Sequence, residues 1–311
     1  MKVVFLDIVH SVLEERLTAA HHMCMDATSM SEQECKTVLA DADGIVIRSR
    51  FTLNAEFLAH APQLKFIARS GAGMENIDED YCEQRSIQLF NAPEGNCNAV
   101  GEHALGMLLA LFNKLHTADR EVRNGKWDRD GNRGVELDGK TVGIIGYGNN
   151  GSAFAQKLRG FDVKVLAYDK YKSGFGTQFV QEATMDDLFN ECDVVSFHIP
   201  QTEETMFMAN ETFFNSFNKS IYLINLARGK VIRTSDLVKN LRSRKVLGAC
   251  LDVLEYEKSS FESFFEQDLS DDFKYLLNAE NVILSPHIGG WTHESYFKLS
   301  DVLADKILSQ K

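Results

Sequence analysis

A chain of 311 residues has room for about two domains, and 44% hydrophobic with 25% charged residues is the composition of an ordinary globular protein. A formal net charge of −12 argues against a general binder of nucleic acid or anionic membrane, since those partners call for clustered positive charge. The six cysteines (Cys24, Cys35, Cys82, Cys97, Cys192 and Cys250) form no C-x-x-C pair, the first residues show no leader pattern, and no apolar run approaches ~20 residues; the expectation is a cytoplasmic protein with reduced thiols, no metal and no membrane span.

Short apolar runs at residues 3–6, 44–47, 64–68 and 87–90 read as strands. A turn-rich stretch follows, Asn91-Ala92-Pro93-Glu94-Gly95-Asn96, and is a hinge candidate. Residues 100–123 read as one long helix with Leu105, Leu108, Leu109 and Phe112 on spaced turns. Residues 124–134 are polar and glycine-rich, the mark of a loop that is exposed or held against a partner subunit. Further strands are expected at 141–145, 163–167, 194–197, 221–224, 247–251 and 282–284, with helical patterns between most of them. Such alternation predicts an α/β chain with parallel sheets, because parallel strands need crossover connections. The acidic, Phe-bearing stretch 258–273 reads as a surface helix or lid.

The strand at 141–145 runs directly into Gly146-Tyr147-Gly148-Asn149-Asn150-Gly151, then a helical pattern from Ser152, then a second strand ending at Asp169. In that order the residues make a dinucleotide fingerprint. The first glycine permits a tight turn, the second lets a pyrophosphate approach the backbone, and the third lets helix and strand pack closely. The helix start offers free N–H groups and a positive dipole end. Asp169 stands where a carboxylate accepts from the adenosine ribose hydroxyls and repels a 2′-phosphate, which favours NAD over NADP; Lys170 and Lys172 work against that repulsion. Because the fingerprint starts near residue 141, a separate α/β unit is expected before it.

Three later segments each place a polar residue just past an apolar strand, where open α/β sheets bind ligands. They are Asn225-Leu226-Ala227-Arg228-Gly229, the run from Leu251 and Asp252 to Glu255-Tyr256-Glu257, and Ser285-Pro286-His287-Ile288-Gly289-Gly290. Reduction of a 2-keto acid needs a cation to hold the carboxylate and polarise the carbonyl, and Arg228 offers a rigid fork. It needs an acid for the developing alkoxide, and His287 is of the residue type best suited to give and take a proton near neutral pH. It needs a carboxylate to orient that imidazole, and Glu257 fits, with Glu255 two residues away as the competing choice. His103, on the apolar helix, reads as a packing or interdomain residue.

With these segments, Arg69-Ser70-Gly71-Ala72-Gly73-Met74-Glu75-Asn76-Ile77-Asp78 and His198-Ile199-Pro200, nearly the whole chain resembles the D-isomer-specific 2-hydroxyacid dehydrogenase family, and within it the short 3-phosphoglycerate dehydrogenases. The resemblance implies two doubly wound parallel-sheet domains. A Rossmann NAD-binding domain (99–287) is inserted in a flavodoxin-like substrate domain (1–98 and 288–311), with a cleft that closes at the hinge. It implies a catalytic set of Arg228, Glu257 and His287. It adds His198, Pro200, Thr205, Ala227, Asp252 and Gly290 to the cofactor residues, and Gly71, Ala72 and Gly73, with Arg228, as holders of the substrate carboxylate. Arg48, Arg50 and Arg69 lie at or beyond the ends of two neighbouring predicted strands; three converging guanidiniums suit a second anion such as a phosphate. The other reading turns some of them to solvent or to acids such as Glu75 and Asp78. The family's formate branch carries an amide where Glu257 stands, so Glu257 speaks against that substrate.

The expected reaction is oxidation of 3-phosphoglycerate by NAD⁺, the entry to serine, in a cytoplasmic homodimer to which Arg129 or Arg133 adds charge. A glyoxylate or hydroxypyruvate reductase and a D-lactate dehydrogenase share the same site logic. An NAD(H)-sensing scaffold akin to the family's corepressor branch is the reading of a different class.

Overall fold

The computed structural model describes residues 1–257 and 269–309. The chain divides into two compact units, Met1–Cys97 with Trp291–Lys311, and Asn98–Gly290.

In the first unit, strands β1 (Lys2–Phe5), β2 (Met23–Asp26), β3 (Gly44–Ile47), β4 (Phe66–Arg69) and β5 (Gln88–Phe90) pair in the order β2-β1-β3-β4-β5. Every pairing is parallel. Helices α1 (Val12–Ala19), α2 (Glu32–Val38), α3 (Ala55–Leu58) and α4 (Glu79–Gln84) fill the connections. Three of them open on a side-chain cap that satisfies an otherwise orphan N–H: Ser31 with Glu34 in a capping box, Asn54, and Asp78. β3 is buried on both faces, as a central parallel strand covered on two sides must be. The edge strand β2 is not: Met23 is exposed and its neighbours only half-buried. It has no solid apolar run, and for that reason it escaped the hydrophobic pattern.

Helix α5 (Pro93–Phe112) starts inside the stretch read as a hinge. Pro93 takes the first helical position, where a missing N–H costs nothing and φ is already set, so here proline starts a helix rather than a turn. The helix also ends earlier than expected. Lys114 adopts φ 51°, and α6 (Leu115–Arg123) begins after it. The break is held in place: Lys114 Nζ donates to the Gly131 carbonyl at 2.7 Å, and the Val135 N–H donates to the Phe112 carbonyl at 2.9 Å.

In the second unit, β6 (Thr141–Ile145), β7 (Lys164–Tyr168), β8 (Gln181–Glu182), β9 (Val194–Phe197), β10 (Ile221–Asn225), β11 (Val246–Leu251) and β12 (Val282–Leu284) form a sheet in the order β12-β11-β10-β9-β6-β7-β8. All its pairings are parallel. Helices α7 (Asn149–Lys157), α8 (Met185–Glu191), α9 (Glu211–Ser216), α10 (Thr234–Arg242) and α11 (Asp271–Asn278) connect the strands. One face of the sheet, with Val142, Ile144, Val165 and Ile224, packs on Ala104, Leu108 and Phe112 of α5 and on Phe154 of α7. The other, with Ile145, Leu166, Val195 and Leu223, packs on Phe213, Phe214, Leu237 and Leu241. Phe273, from the stretch read as a surface helix or lid, is buried in this second face; residues 258–268 of that stretch lie outside the described residues.

The last helix, α12 (His293–Leu308), belongs to the first unit and opens on a Thr292–Ser295 capping box. Its Leu299, Leu303 and Ile307 join Leu13 and Leu17 of α1 over one face of the sheet, against Val3, Phe5, Val46 and Phe66. Val4, Ile45, Ile47 and Ile67 point to the opposite face and pack on Leu39, Phe57 and Leu58. This alternation is the period-2 geometry of a strand.

Both sheets are doubly wound. Strand order reverses between β1 and β3 in the first and between β6 and β9 in the second, so each unit has its own switch point, the place where such sheets bind ligands. Among the described residues no helix is long and apolar enough to cross a membrane, and no cluster of His, Cys, Asp or Glu has the makings of a metal site.

Candidate active site

The glycine-rich turn follows β6, one of the two strands flanking the second unit's switch point. Gly146 has φ 93°, and a Cβ there would lie 2.6 Å from the His198 carbonyl oxygen, so both conformation and space demand glycine. A Cβ at Gly151 would sit 2.0 Å from the Gly146 oxygen, which is the close packing of turn against helix. A Cβ at Gly148, the N-cap of α7, would meet nothing within 4 Å among the described residues. The turn is therefore tight on its protein side and open at its middle, the shape that admits a pyrophosphate to the first N–H groups of α7, at Asn149 and Asn150.

Asp169 ends β7 and braces the same turn. One of its oxygens accepts from the Tyr147 N–H at 2.8 Å, the other from Tyr171 and Lys172 at 2.9 and 3.1 Å. A carboxylate has about four acceptor positions, so capacity for a ribose hydroxyl is left. Tyr147 stacks on Phe175 with ring centres 4.6 Å apart. His198 bonds the buried Ser196 hydroxyl through Nε2 at 2.8 Å, while its buried Nδ1 has no partner among the described residues. Burial pushes this imidazole down to about 3, so it is neutral. An orphaned nitrogen beside the glycine turn and an open Gly148 are both features that a bound dinucleotide satisfies. Farther along, Thr205 Oγ1 donates to the Pro200 carbonyl at 2.7 Å, fixing the loop after β9.

The proton-transfer candidates come together in the same unit. His287 Nδ1 and Glu257 Oε2 are 2.9 Å apart, and Glu257 Oε1 accepts from the Leu254 N–H at 2.6 Å. One oxygen thus anchors the carboxylate while the other grips the imidazole. Glu255 is turned elsewhere: its Oε2 accepts from the Thr234 N–H at the start of α10, at 2.8 Å. His287 has φ 56°, a left-handed conformation rare for a side-chain-bearing residue. Asp252 holds it there. Its backbone oxygen accepts the His287 N–H at 2.8 Å, and its buried carboxylate accepts from Ile288 N, Gly289 N and Ser285 Oγ at 2.9, 2.8 and 2.6 Å. His103 completes the cluster, with Nε2 3.0 Å from Ser285 Oγ and 3.6 Å from Asp252. Read from the sequence as a packing or interdomain residue, it is a polar member of this network. Asp252, read as a cofactor residue, has its carboxylate turned onto the histidine loop.

Arg228 follows β10. Buried Asn225 shapes its turn: Oδ1 accepts from the Ala227 N–H and Nδ2 donates to the Arg228 carbonyl, both at 3.0 Å. Arg228 itself donates to the Ala227 carbonyl at 2.7 Å. A Cβ on the next residue, Gly229, would come 1.9 Å from the Leu254 oxygen, so glycine is what lets the arginine turn lie against the loop carrying Glu257. Gly290 is half-buried at the end of the histidine loop. Neither the bracing role of Asn225 nor that of Asp252 was foreseen. The available signal was a polar residue closing an otherwise apolar strand.

Within the first unit, the three arginines do not act alike. Arg50 sends its guanidinium to the carbonyls of Leu6 and Ala27, at 3.0 and 3.1 Å, and to that of Met30. It is a structural tie, against the expectation that it faces an anion. Arg69 donates to the Arg48 carbonyl at 3.2 Å and folds across Gly71, whose added Cβ would strike its Nη1 at 1.8 Å. The Arg48 guanidinium carbon lies over the Trp291 ring, 4.2 Å from the centroid. The Gly71–Gly73 turn is pinned by the Asn91 side chain, which donates to the Ala72 carbonyl at 2.7 Å, and by the Ala92 N–H, which donates to Gly71 at 2.9 Å.

Residues 105–289 match the family model described as "D-isomer specific 2-hydroxyacid dehydrogenase, NAD binding domain". The chain belongs to that family. A D-3-phosphoglycerate dehydrogenase of Archaeoglobus fulgidus is 34% identical over 91% of this chain, and a hydroxypyruvate reductase of Thermotoga maritima is 32% identical over 90%. The chain spans about half (52%) of the first of these relatives and 89% of the second. Among solved structures, a D-2-hydroxyisocaproate dehydrogenase superposes with a TM-score of 0.86 at 26% identity, over 99% of this chain and 97% of that one. A D-lactate dehydrogenase of Aquifex aeolicus, solved with NAD and lactic acid, superposes at 0.82 with 29% identity, over 99% and 95%.

Proposed function

We propose that this chain is an NAD(H)-dependent oxidoreductase of D-2-hydroxy acids, with 3-phosphoglycerate as its preferred substrate. The observation that carries the enzymatic reading is the His287–Glu257 pair at 2.9 Å, anchored by the Leu254 N–H and set beside the Arg228 turn. NADH, when bound, supplies the hydride. His287 then delivers a proton to the alkoxide oxygen, and in the oxidation direction removes it. Glu257 keeps Nδ1 protonated, which leaves Nε2 as the working nitrogen. Arg228 pairs with the carboxylate and draws electron density from the carbonyl. The cofactor residues proposed are Gly146 to Gly151, Asp169, His198, Pro200, Thr205, Ala227, Asp252 and Gly290.

Phosphate on the substrate is supported by the Archaeoglobus relative and by Arg48. A second reading, a hydroxypyruvate or glyoxylate reductase, is favoured by the Thermotoga relative, which this chain covers almost from end to end. We further propose a cytoplasmic homodimer whose contact face includes Leu115, Val122 and Trp127, large apolar side chains left exposed on α6 and the loop after it.

The test is NADH oxidation across 2-keto acids with and without a 3-phosphate. The expected result is a kcat/KM for 3-phosphohydroxypyruvate well above those for hydroxypyruvate, glyoxylate and pyruvate. Preference for the unphosphorylated acids selects the second reading. NADH binding with no turnover of any keto acid overturns both.

A further inference from the structure

The carboxyl end of the first unit's sheet holds a cation whose side-chain donors no described residue uses. Asp7 and Arg48 follow β1 and β3, the two strands at that unit's switch point. Asp7 consumes the backbone donors there: one carboxylate oxygen accepts the N–H groups of Arg48, Ser49 and Arg50, each at 2.9 Å. Arg50 is committed to carbonyls, as described, and Arg69 to the Arg48 carbonyl and the Gly71 turn. That leaves Arg48. Among the described residues its guanidinium has no hydrogen-bond acceptor and no carboxylate partner; its neighbour is the indole of Trp291, with Cζ over the ring 4.2 Å from the centroid.

Trp291 is itself held. Its ring meets Tyr296 of α12 edge-on at 6.0 Å, and Tyr296 meets His10 at 5.6 Å, whose N–H donates to Ser300 Oγ. Yet 52% of Trp291 stays exposed, a large apolar area to leave in water. An indole against one face of a guanidinium leaves the N–H groups, which lie in the plane, free to fork onto an anion. It also removes rotamer freedom that an unsupported arginine would lose on binding.

We propose that Trp291 is a positioning residue for specificity: stacked on Arg48, it fixes the guanidinium plane so that the enzyme selects 2-hydroxy and 2-keto acids bearing a second anionic group, phosphate or carboxylate, over lactate-like acids. This rests on the dehydrogenase reading above and deepens it, because it assigns the choice of substrate to a tryptophan that touches the arginine rather than the reacting atoms.

Two measurements test it. In steady-state assays, Trp291→Ala raises KM for 3-phosphohydroxypyruvate by about tenfold, the scale of a partly desolvated cation–π contact. It leaves kcat, NADH affinity and the KM for pyruvate and glyoxylate unchanged, and Trp291→Phe restores most of the loss. The second measurement needs no turnover. The chain has two tryptophans, so Trp127→Phe leaves Trp291 as the sole indole. Its emission changes saturably on titration with inorganic phosphate, and Arg48→Met abolishes the change. An equal rise in KM for pyruvate, or no saturable change in emission with phosphate or oxaloacetate, overturns the proposal. If 3-phosphohydroxypyruvate proves a poor substrate, the same Trp291→Ala penalty on oxaloacetate or 2-oxoglutarate upholds the stack while the phosphoglycerate reading falls. If no keto acid is reduced, the emission titration decides the matter alone.

Discussion

Glu255 and Glu257, two residues apart, make different contacts because the loop points them at different hydrogens. Glu255 caps α10 through the Thr234 N–H, and Glu257 meets the His287 ring. Removing the imidazole in His287→Ala is expected to lower kcat by on the order of 10²–10⁴, the usual worth of general acid–base help. Glu257→Gln lowers kcat less, because an amide still fills the site but no longer stabilises imidazolium. Glu255→Gln leaves kcat alone and costs about 1–2 kcal/mol in a denaturant titration, the worth of a charge-assisted hydrogen bond. Equal kinetic losses in the two glutamine variants sink the assignment. His198 gives a prediction in pH. Its folded value, about 3, lies below the ordinary histidine value of about 6.5. Between these two values the unfolded chain binds the extra proton, so folding stability falls as pH drops below about 6.5. The thermal midpoint is expected to decline from pH 7 to pH 5 and to decline less in His198→Gln. Parallel profiles for the two proteins rule out the buried neutral imidazole.

Turns that let two backbones touch are what bring the candidate side chains together. Gly229 lies against Leu254, and Gly151 against Gly146, at distances that no Cβ tolerates. Gly229→Ala is therefore expected to cost about 1–3 kcal/mol of stability by overpacking. It also lowers kcat by moving the Arg228 turn off the Glu257 loop, with NADH affinity nearly retained. Calorimetry and a fluorescence titration with NADH separate the two effects, and an alanine variant of normal kcat refutes the contact as a catalytic device. The strands that are apolar on both faces, such as β3, β6 and β9, were legible residue for residue, because burial on both sides leaves a solid hydrophobic run. The edge strands β2 and β8 were not, since water on one side lets them carry Met23, Asp26, Gln181 and Glu182. The break between α5 and α6 was equally hidden. It depends on Lys114 reaching Gly131, a partner that lies beyond any window of local pattern.

Each unit carries its own sheet, its own pair of packed faces and its own switch point. Ligands are accordingly expected to protect different peptides in hydrogen exchange. NADH slows exchange in the turn from Gly146 to Gly151 and in the strands beneath it. Inorganic phosphate slows it around Arg48 and Trp291. At 100 times its dissociation constant, NADH adds about 2.7 kcal/mol to the stability of the unit it binds. Protection by NADH confined to the first unit contradicts the assignment of the dinucleotide turn.

The order of apolar strands, the three glycines with Asp169, and the polar residues that close β10, β11 and β12 are local features, and they were enough to name an α/β chain with a dinucleotide turn and an Arg–Glu–His set. Which carboxylate serves the histidine was not local. Glu255 and Glu257 are alike in chemistry and nearly so in position; the family resemblance favoured Glu257, and in the structure it is Glu257 that meets the His287 ring while Glu255 caps α10. The arginines show the same division. Sequence put Arg48, Arg50 and Arg69 near two strand ends. Tertiary contacts committed Arg50 to the carbonyls of Leu6, Ala27 and Met30, laid Arg69 over Gly71, and stacked Arg48 on a tryptophan more than two hundred residues away. A charge pattern says that cations are present, but which one keeps donors for a ligand depends on what the rest of the chain brings to its side.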